Sequence, residues 1–146
     1  MKEPAAVATC LCGDVRIEVL RKPEHLTQCN CSVCRRYGTL WAYYTRKTIA
    51  IDAPGGRDAF VRRARGLKFM RCANCGCITN WEMQSKSATS RVGVNARLME
   101  PSVIADVPIK ILDGDKTWKT LGHYVRPEIF VSPFRVKTAR ARARSR

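Results

Sequence analysis

The eight cysteines fall into three tight groups, and this grouping constrains the fold more than any other feature of the chain. They stand as Cys10-Leu11-Cys12-Gly13, Cys29-Asn30-Cys31-Ser32-Val33-Cys34 and Cys72-Ala73-Asn74-Cys75-Gly76-Cys77. Thiolates separated by one or two residues meet on one metal ion when a tight turn brings their sulfurs together, and a following glycine removes the β-carbon that would crowd that turn. Seven or eight thiolates suffice for two zinc sites, since a structural zinc takes four ligands. The economical way to staple a β-rich domain is to join two knuckles far apart in sequence, which pairs Cys10 and Cys12 with Cys72 and Cys75. Closing a loop of roughly sixty residues restricts the unfolded chain, and a structural zinc contributes on the order of 10 kcal/mol.

Cys29, Cys31 and Cys34 remain as three thiolates within six residues, too tight to recruit a fourth ligand from among themselves. Three protein ligands and an open position form the pattern of a catalytic zinc. An incoming thiol would complete the tetrahedron. Zinc has no redox chemistry, so the reaction expected is thiol addition or elimination. Cys77 is read as a buried thiol, with a spare metal ligand as the alternative.

At 146 residues the chain is one domain long. Lys and Arg number 27 against 12 Asp and Glu, a net +15, and the stretch from Arg135 to Arg146 carries positive charge with no acid. Both that tail and the body are basic, so anionic partners or substrates fit. The segment Met1 to Ala8 has no apolar run like that of a secretory signal, and nowhere do enough apolar residues stand together to span a membrane. Cysteines without an export signal point to a reducing compartment, and the expected location is the cytoplasm.

The chain reads as mainly β. Val15–Val19 alternates with period two, and Leu40–Tyr44 and Ile49–Ile51 are rich in β-formers. Gly66–Cys72, Cys77–Glu82, Ser90–Val94 and Pro108–Leu112 are further strands, and Ser32–Tyr37 reads as a short helix capped by Ser32. Pro54-Gly55-Gly56 reads as a loop and Asp113-Gly114-Asp115 as a turn, while the Ala/Arg run from Thr138 to Arg146 has no apolar face to pack.

The three cysteine motifs, with their flanks Asp14-Val15-Arg16, Arg35 and Phe69-Met70-Arg71, resemble those of the glutathione-dependent formaldehyde-activating enzymes, the centromere-protein-V/GFA family. The resemblance runs from about Cys10 to about Tyr124. It implies a β-tent fold of small antiparallel sheets stapled by a structural zinc on Cys10, Cys12, Cys72 and Cys75. A second, labile zinc would sit on Cys29, Cys31 and Cys34. It also implies a carbon–sulfur lyase of the S-(hydroxymethyl)glutathione synthase type, with glutathione or a related thiol as the small-molecule partner. Glutathione carries two carboxylates, so Arg35 and Arg36, next to Cys34, are candidate anchors, joined by Asn95 and Arg97, which resemble an asparagine-x-arginine pattern of one branch. The sequence singles out no general base.

The domain reading is a short extension over 1–8, a GFA-type zinc domain over 9–134 and a basic tail over 135–146. His25 and His123 read as ordinary loop or strand-edge residues, and Trp41, Trp81 and Trp118 as core. Arg62, Arg63 and Arg65 read as a solvated face. The competing function is a non-catalytic, zinc-stabilised module whose basic surface and tail engage nucleic acid or another acidic polymer without sequence preference.

Overall fold

The computed structural model describes residues 3–62, 66–85 and 87–126. In chain order the elements are β1 (Ala6–Thr9), β2 (Arg16–Val19), β3 (Leu26–Cys29), α1 (Ser32–Tyr37), β4 (Trp41–Thr45), β5 (Ile49–Asp52), β6 (Arg57–Arg62) and β7 (Leu67–Cys72). They continue with β8 (Ile78–Met83), β9 (Arg91–Asn95), α2 (Pro101–Ile104), β10 (Ile109–Leu112) and β11 (Thr120–Tyr124). The protein is mainly β, as its alternating short apolar runs dictate. A three-stranded sheet has the order β1-β2-β5, and an eight-stranded sheet the order β11-β10-β3-β4-β9-β8-β7-β6.

The small sheet buries one face: Ala6, Ala8, Ile17 and Val19 point inward while Thr9, Arg16 and Ala50 face water. In the large sheet β4 and β9 are central, and Ala42, Tyr44, Val92 and Val94 join Ile17 and Val19 in one core. Leu26, Leu40, Ile104 and Ile109 complete it, each at most 1% exposed. Burying a side chain of this size is worth about 1.5–3 kcal/mol. Met99 bridges to Ala8 and ties the two sheets together again.

One pairing matters most for function. All pairs in the two sheets are antiparallel except β3 with β10, which run parallel with Cys29 opposite Leu112. Parallel neighbours release their following loops at the same end of the sheet. The knuckle after β3 and the turn after β10 therefore emerge side by side.

Several expectations change. β1 lies partly within the segment read as an extension, because Ala6–Thr9 pair in register with Arg16–Val19. Helix α1 has the expected span, but Cys31 rather than Ser32 is its cap residue, and no side-chain hydrogen bond caps it. Trp118, expected in the core, is 54% exposed and lies in the turn before β11 with φ of 58°. Trp41 is buried and Trp81 half-buried. Arg63, Arg65 and the tail from Arg135 to Arg146 lie outside the described residues.

Candidate metal centre

The first cluster forms where the two sheets meet. Cys10 follows β1 of the small sheet, and Cys72 ends β7 of the large one. In each knuckle the chain folds back on itself: Gly13 N–H donates to the Cys10 carbonyl at 3.1 Å and Gly76 N–H to the Cys72 carbonyl at 3.0 Å. Both glycines have positive φ, 88° and 73°, as the turns require. Cys10 and Cys12 sulfurs are 3.6 Å apart, and Cys12 and Cys72 sulfurs 3.5 Å. The Sγ atoms of Cys10, Cys12, Cys72 and Cys75 all lie within 4.8 Å of one another. Val15 N–H donates to Cys10 Sγ at 3.2 Å, and Asn74 Nδ2 donates to Asp14 Oδ2 at 3.0 Å across the two knuckles. Cys77 is half-buried beside this cluster, packed against the main core, and burial pushes its thiol up.

The second cluster lies at the end of the large sheet. Cys29 ends β3, Cys31 precedes α1, and Cys34 sits within that helix. Their Sγ atoms lie within 4.8 Å of one another, and the residues are 7%, 4% and 6% exposed. Trp41, Phe69 and Ile78 pack around them. Trp41 Nε1 donates to Cys34 Sγ at 3.2 Å, and Cys31 N–H to Cys29 Sγ at 3.5 Å. The hydrogen of Cys34, with the N–H groups of Cys31 and Gly114, holds the Cys29 thiol down at about 6 against its burial. Cys34, which gives that hydrogen and is itself buried, is pushed far above the ordinary thiol range.

The turn after β10 closes over this cluster. A β-carbon on Gly114 would stand 2.3 Å from Cys29 Sγ, so only glycine lets the backbone pass so close. Asp113 pins the turn. It accepts from Thr117 Oγ1 at 2.7 Å, Thr117 N–H at 3.1 Å, Lys116 N–H at 3.3 Å and Asn30 Nδ2 at 3.0 Å. These bonds, that from the Thr117 hydroxyl foremost, hold its carboxyl well below the usual carboxylate range. Asn30 Oδ1 in turn accepts from Asp115 N–H at 3.1 Å.

A cleft of about 240 Å³ opens beside the cluster, with Cys29 and Cys34 in its wall and Arg35, Thr39 and Arg97 around it. Two of the four residues expected to bind substrate thus line it directly. Arg36 is exposed outside the cleft lining and donates through Nη1 to the Ser32 carbonyl at 2.9 Å. Asn95 is buried, and its amide serves the backbone: Nδ2 donates to the Ile78 carbonyl at 2.9 Å, while Oδ1 accepts from Leu40 N–H and Arg97 N–H at 3.3 Å each. It therefore fixes the chain that carries Arg97. Arg62, read as part of a solvated face, is instead half-buried and donates through Nη1 to Cys31 Sγ at 3.6 Å.

A second cleft of about 240 Å³ contains no cysteine and is lined by Arg46, Arg57 and Glu82 with aliphatic side chains. Glu82 pairs there with Arg46 and with Arg57, the latter at 3.6 Å, so one carboxylate is shared between two guanidinium groups and the cleft keeps a net positive charge. Neither metal-competent group found among the described residues includes a histidine. His25 precedes β3 and is exposed, as is His123 on β11. Trp41, Asn30, Asp113 and Gly114 are the parts of the site that sequence reasoning missed. Of these only Asp113-Gly114-Asp115 carried a signal, as a turn.

The donor chemistry fits a metal at both places. Four and three sulfurs, crowded together with none joined in a disulfide, are ligand sets that could hold a borderline-soft cation such as zinc. No helix among the described residues is long and apolar enough to cross a membrane. No curated protein matches the chain. A crystal structure of a Rhodobacter sphaeroides protein, a structural-genomics target, is similar at 28% identity, covering 70% of this chain and 98% of that one with a TM-score of 0.56. The family model for glutathione-dependent formaldehyde-activating enzyme matches residues 5–108, a span containing all eight cysteines, and the chain belongs to that family, GFA.

Proposed function

We propose that this protein is a zinc-dependent carbon–sulfur lyase that makes or breaks the adduct of a carboxylate-bearing thiol, glutathione or a relative, with a small aldehyde such as formaldehyde. The observation that carries this reading is the three-cysteine cluster, two of whose cysteines line a cleft bordered by Arg35 and Arg97. Cys10, Cys12, Cys72 and Cys75 would hold a structural zinc, and Cys29, Cys31 and Cys34 a second one. When bound there, the second zinc supplies a coordination position at which an external thiol is kept as its thiolate.

The chain's own groups do the rest. Arg35 and Arg97 suit the two carboxylates of such a thiol and would align its sulfur with the cluster. Trp41 N–H and the backbone of Cys31 and Gly114 fix the cysteine sulfurs. The Asp113 turn holds the Gly114 backbone close against Cys29 Sγ. In adduct formation the thiol loses its proton, its sulfur bonds to the aldehyde carbon, and the carbonyl electron pair moves to oxygen, which takes up a proton. The reverse reaction returns both protons and breaks the carbon–sulfur bond.

The test follows zinc-loaded protein by zinc-edge X-ray absorption during titration with glutathione, and by NMR of S-(hydroxymethyl)glutathione. An added sulfur at one of the two zinc ions, with turnover of the adduct, is expected. An unchanged sulfur count together with no turnover would refute the reading.

A further inference from the structure

Arg62 stands where an arginine ordinarily has no task. It ends β6, an edge strand whose residues Asp58, Ala59, Phe60 and Val61 are exposed. An arginine on such a strand usually reaches into water. Here its register partner is Leu67, which packs on the three-cysteine cluster together with Phe69 of the same strand. Passing that apolar wall, the guanidinium brings Nη1 to 3.6 Å from the buried Cys31 sulfur. Cys34 Sγ receives a neutral indole N–H and Cys29 Sγ neutral backbone N–H groups. Cys31 Sγ receives a full positive charge.

That placement has an electrostatic meaning. Three thiolates already exceed the charge of one divalent cation, and a fourth, external thiolate adds to the excess in a site shielded from water. A fixed guanidinium at the sulfur opposes this build-up where screening is weakest. Cys31 and Arg62 lie outside the cleft lining, whereas Arg35 and Arg97 belong to it. The two kinds of arginine therefore act differently: those in the cleft can read the body of a ligand, and Arg62 can act only through Cys31.

We propose that Arg62 is a positioning residue of the three-cysteine site, orienting the Cys31 sulfur and offsetting the charge of an entering thiolate, so that it sets affinity for thiols whatever else they carry. This rests on the functional reading above. The experiment uses the full chain loaded with cobalt(II), whose absorption reports thiolate binding, with native mass spectrometry to count metal. The probes are 2-mercaptoethanol, which has no carboxylate, and glutathione, which has two.

Arg62→Gln should weaken both thiols alike, by about tenfold. Arg62→Lys should restore most of that loss, and Arg35→Gln should weaken glutathione alone. Loss of cobalt from the three-cysteine site in Arg62→Gln with retention in Arg62→Lys also supports the proposal, because the charge is then what the site needs. The proposal is overturned if Arg62→Gln binds 2-mercaptoethanol like the parent protein, if it weakens glutathione alone, or if both Arg62 variants lose the metal. Should the parent protein respond to neither thiol, the lyase reading fails by itself. Arg62 is then judged by chelator competition, where Arg62→Gln must release the three-cysteine metal about tenfold more readily and otherwise the proposal falls.

Discussion

Replacing Gly114 by alanine tests whether the turn after β10 is a fitted cover for the second cluster. The added methyl would stand 2.3 Å from Cys29 Sγ and 3.4 Å from Cys31 Cβ. Ordinary contact between such atoms begins at about 3.5–4.0 Å, so something must shift by roughly 1 Å or more. The turn resists, because Asp113 is held by Thr117, Lys116 and Asn30 through four hydrogen bonds. The sulfur is then the part that yields, leaving its place beside Cys31 and Cys34. Overpacking of this kind costs about 1–3 kcal/mol, which in a domain of this size lowers the melting temperature by roughly 3–10 °C. Native mass spectrometry should show the variant with the metal of the four-cysteine site and without the other. If Gly114→Ala holds both metals against a chelator as tightly as the parent and melts within about 1 °C of it, the fitted cover is refuted.

Cys72→Ser should abolish soluble folded protein, whereas Cys31→Ser should stay folded with one metal fewer; equal destabilisation in a chemical melt would mean that both clusters are structural. Trp41→Phe keeps most of the packing but removes the N–H held 3.2 Å from Cys34 Sγ, and should cost about 1–2 kcal/mol by urea unfolding, an unchanged midpoint counting against that bond. In metal-free protein the Cys29 thiol, lowered from 9.0 to about 6, is a thiolate above that pH and loses its charge as pH falls through it. Iodoacetamide should therefore label Cys29 with a midpoint near pH 6, and a midpoint near pH 9 would contradict the shared-hydrogen arrangement.

The cysteine spacing was enough to divide seven thiols into the two groups that the fold brings together, because each knuckle is a local turn. The strands β2, β4, β5 and β7 to β10 were legible for a similar reason, as short runs holding apolar residues between turns. β1 escaped because Ala-Val-Ala-Thr has little bulk, and β6 because its charges suit an edge. β3 was hidden by polarity: Thr27 and Cys29 are buried, yet neither signals a strand interior. The parallel pairing of β3 with β10 leaves no mark in local sequence, so neither Asp113 nor Gly114 could be assigned to the cluster they cover. Arg62 was equally opaque, since only the register of β6 on β7 carries it past Leu67. Arg35 was expected beside Cys34 from simple adjacency, and it does line the cleft.

The two clusters sit differently on the chain path, and this sets what the loss of a metal from each would cost. A metal on Cys10 and Cys72 would join separate sheets across 61 residues, while Cys29, Cys31 and Cys34 span only the end of one strand and the start of the next helix. Emptying the latter removes no link between distant parts of the molecule. On the proposed reading, a protein stripped of the second metal alone would be inactive yet still folded, and resupply would restore it without the labour of refolding.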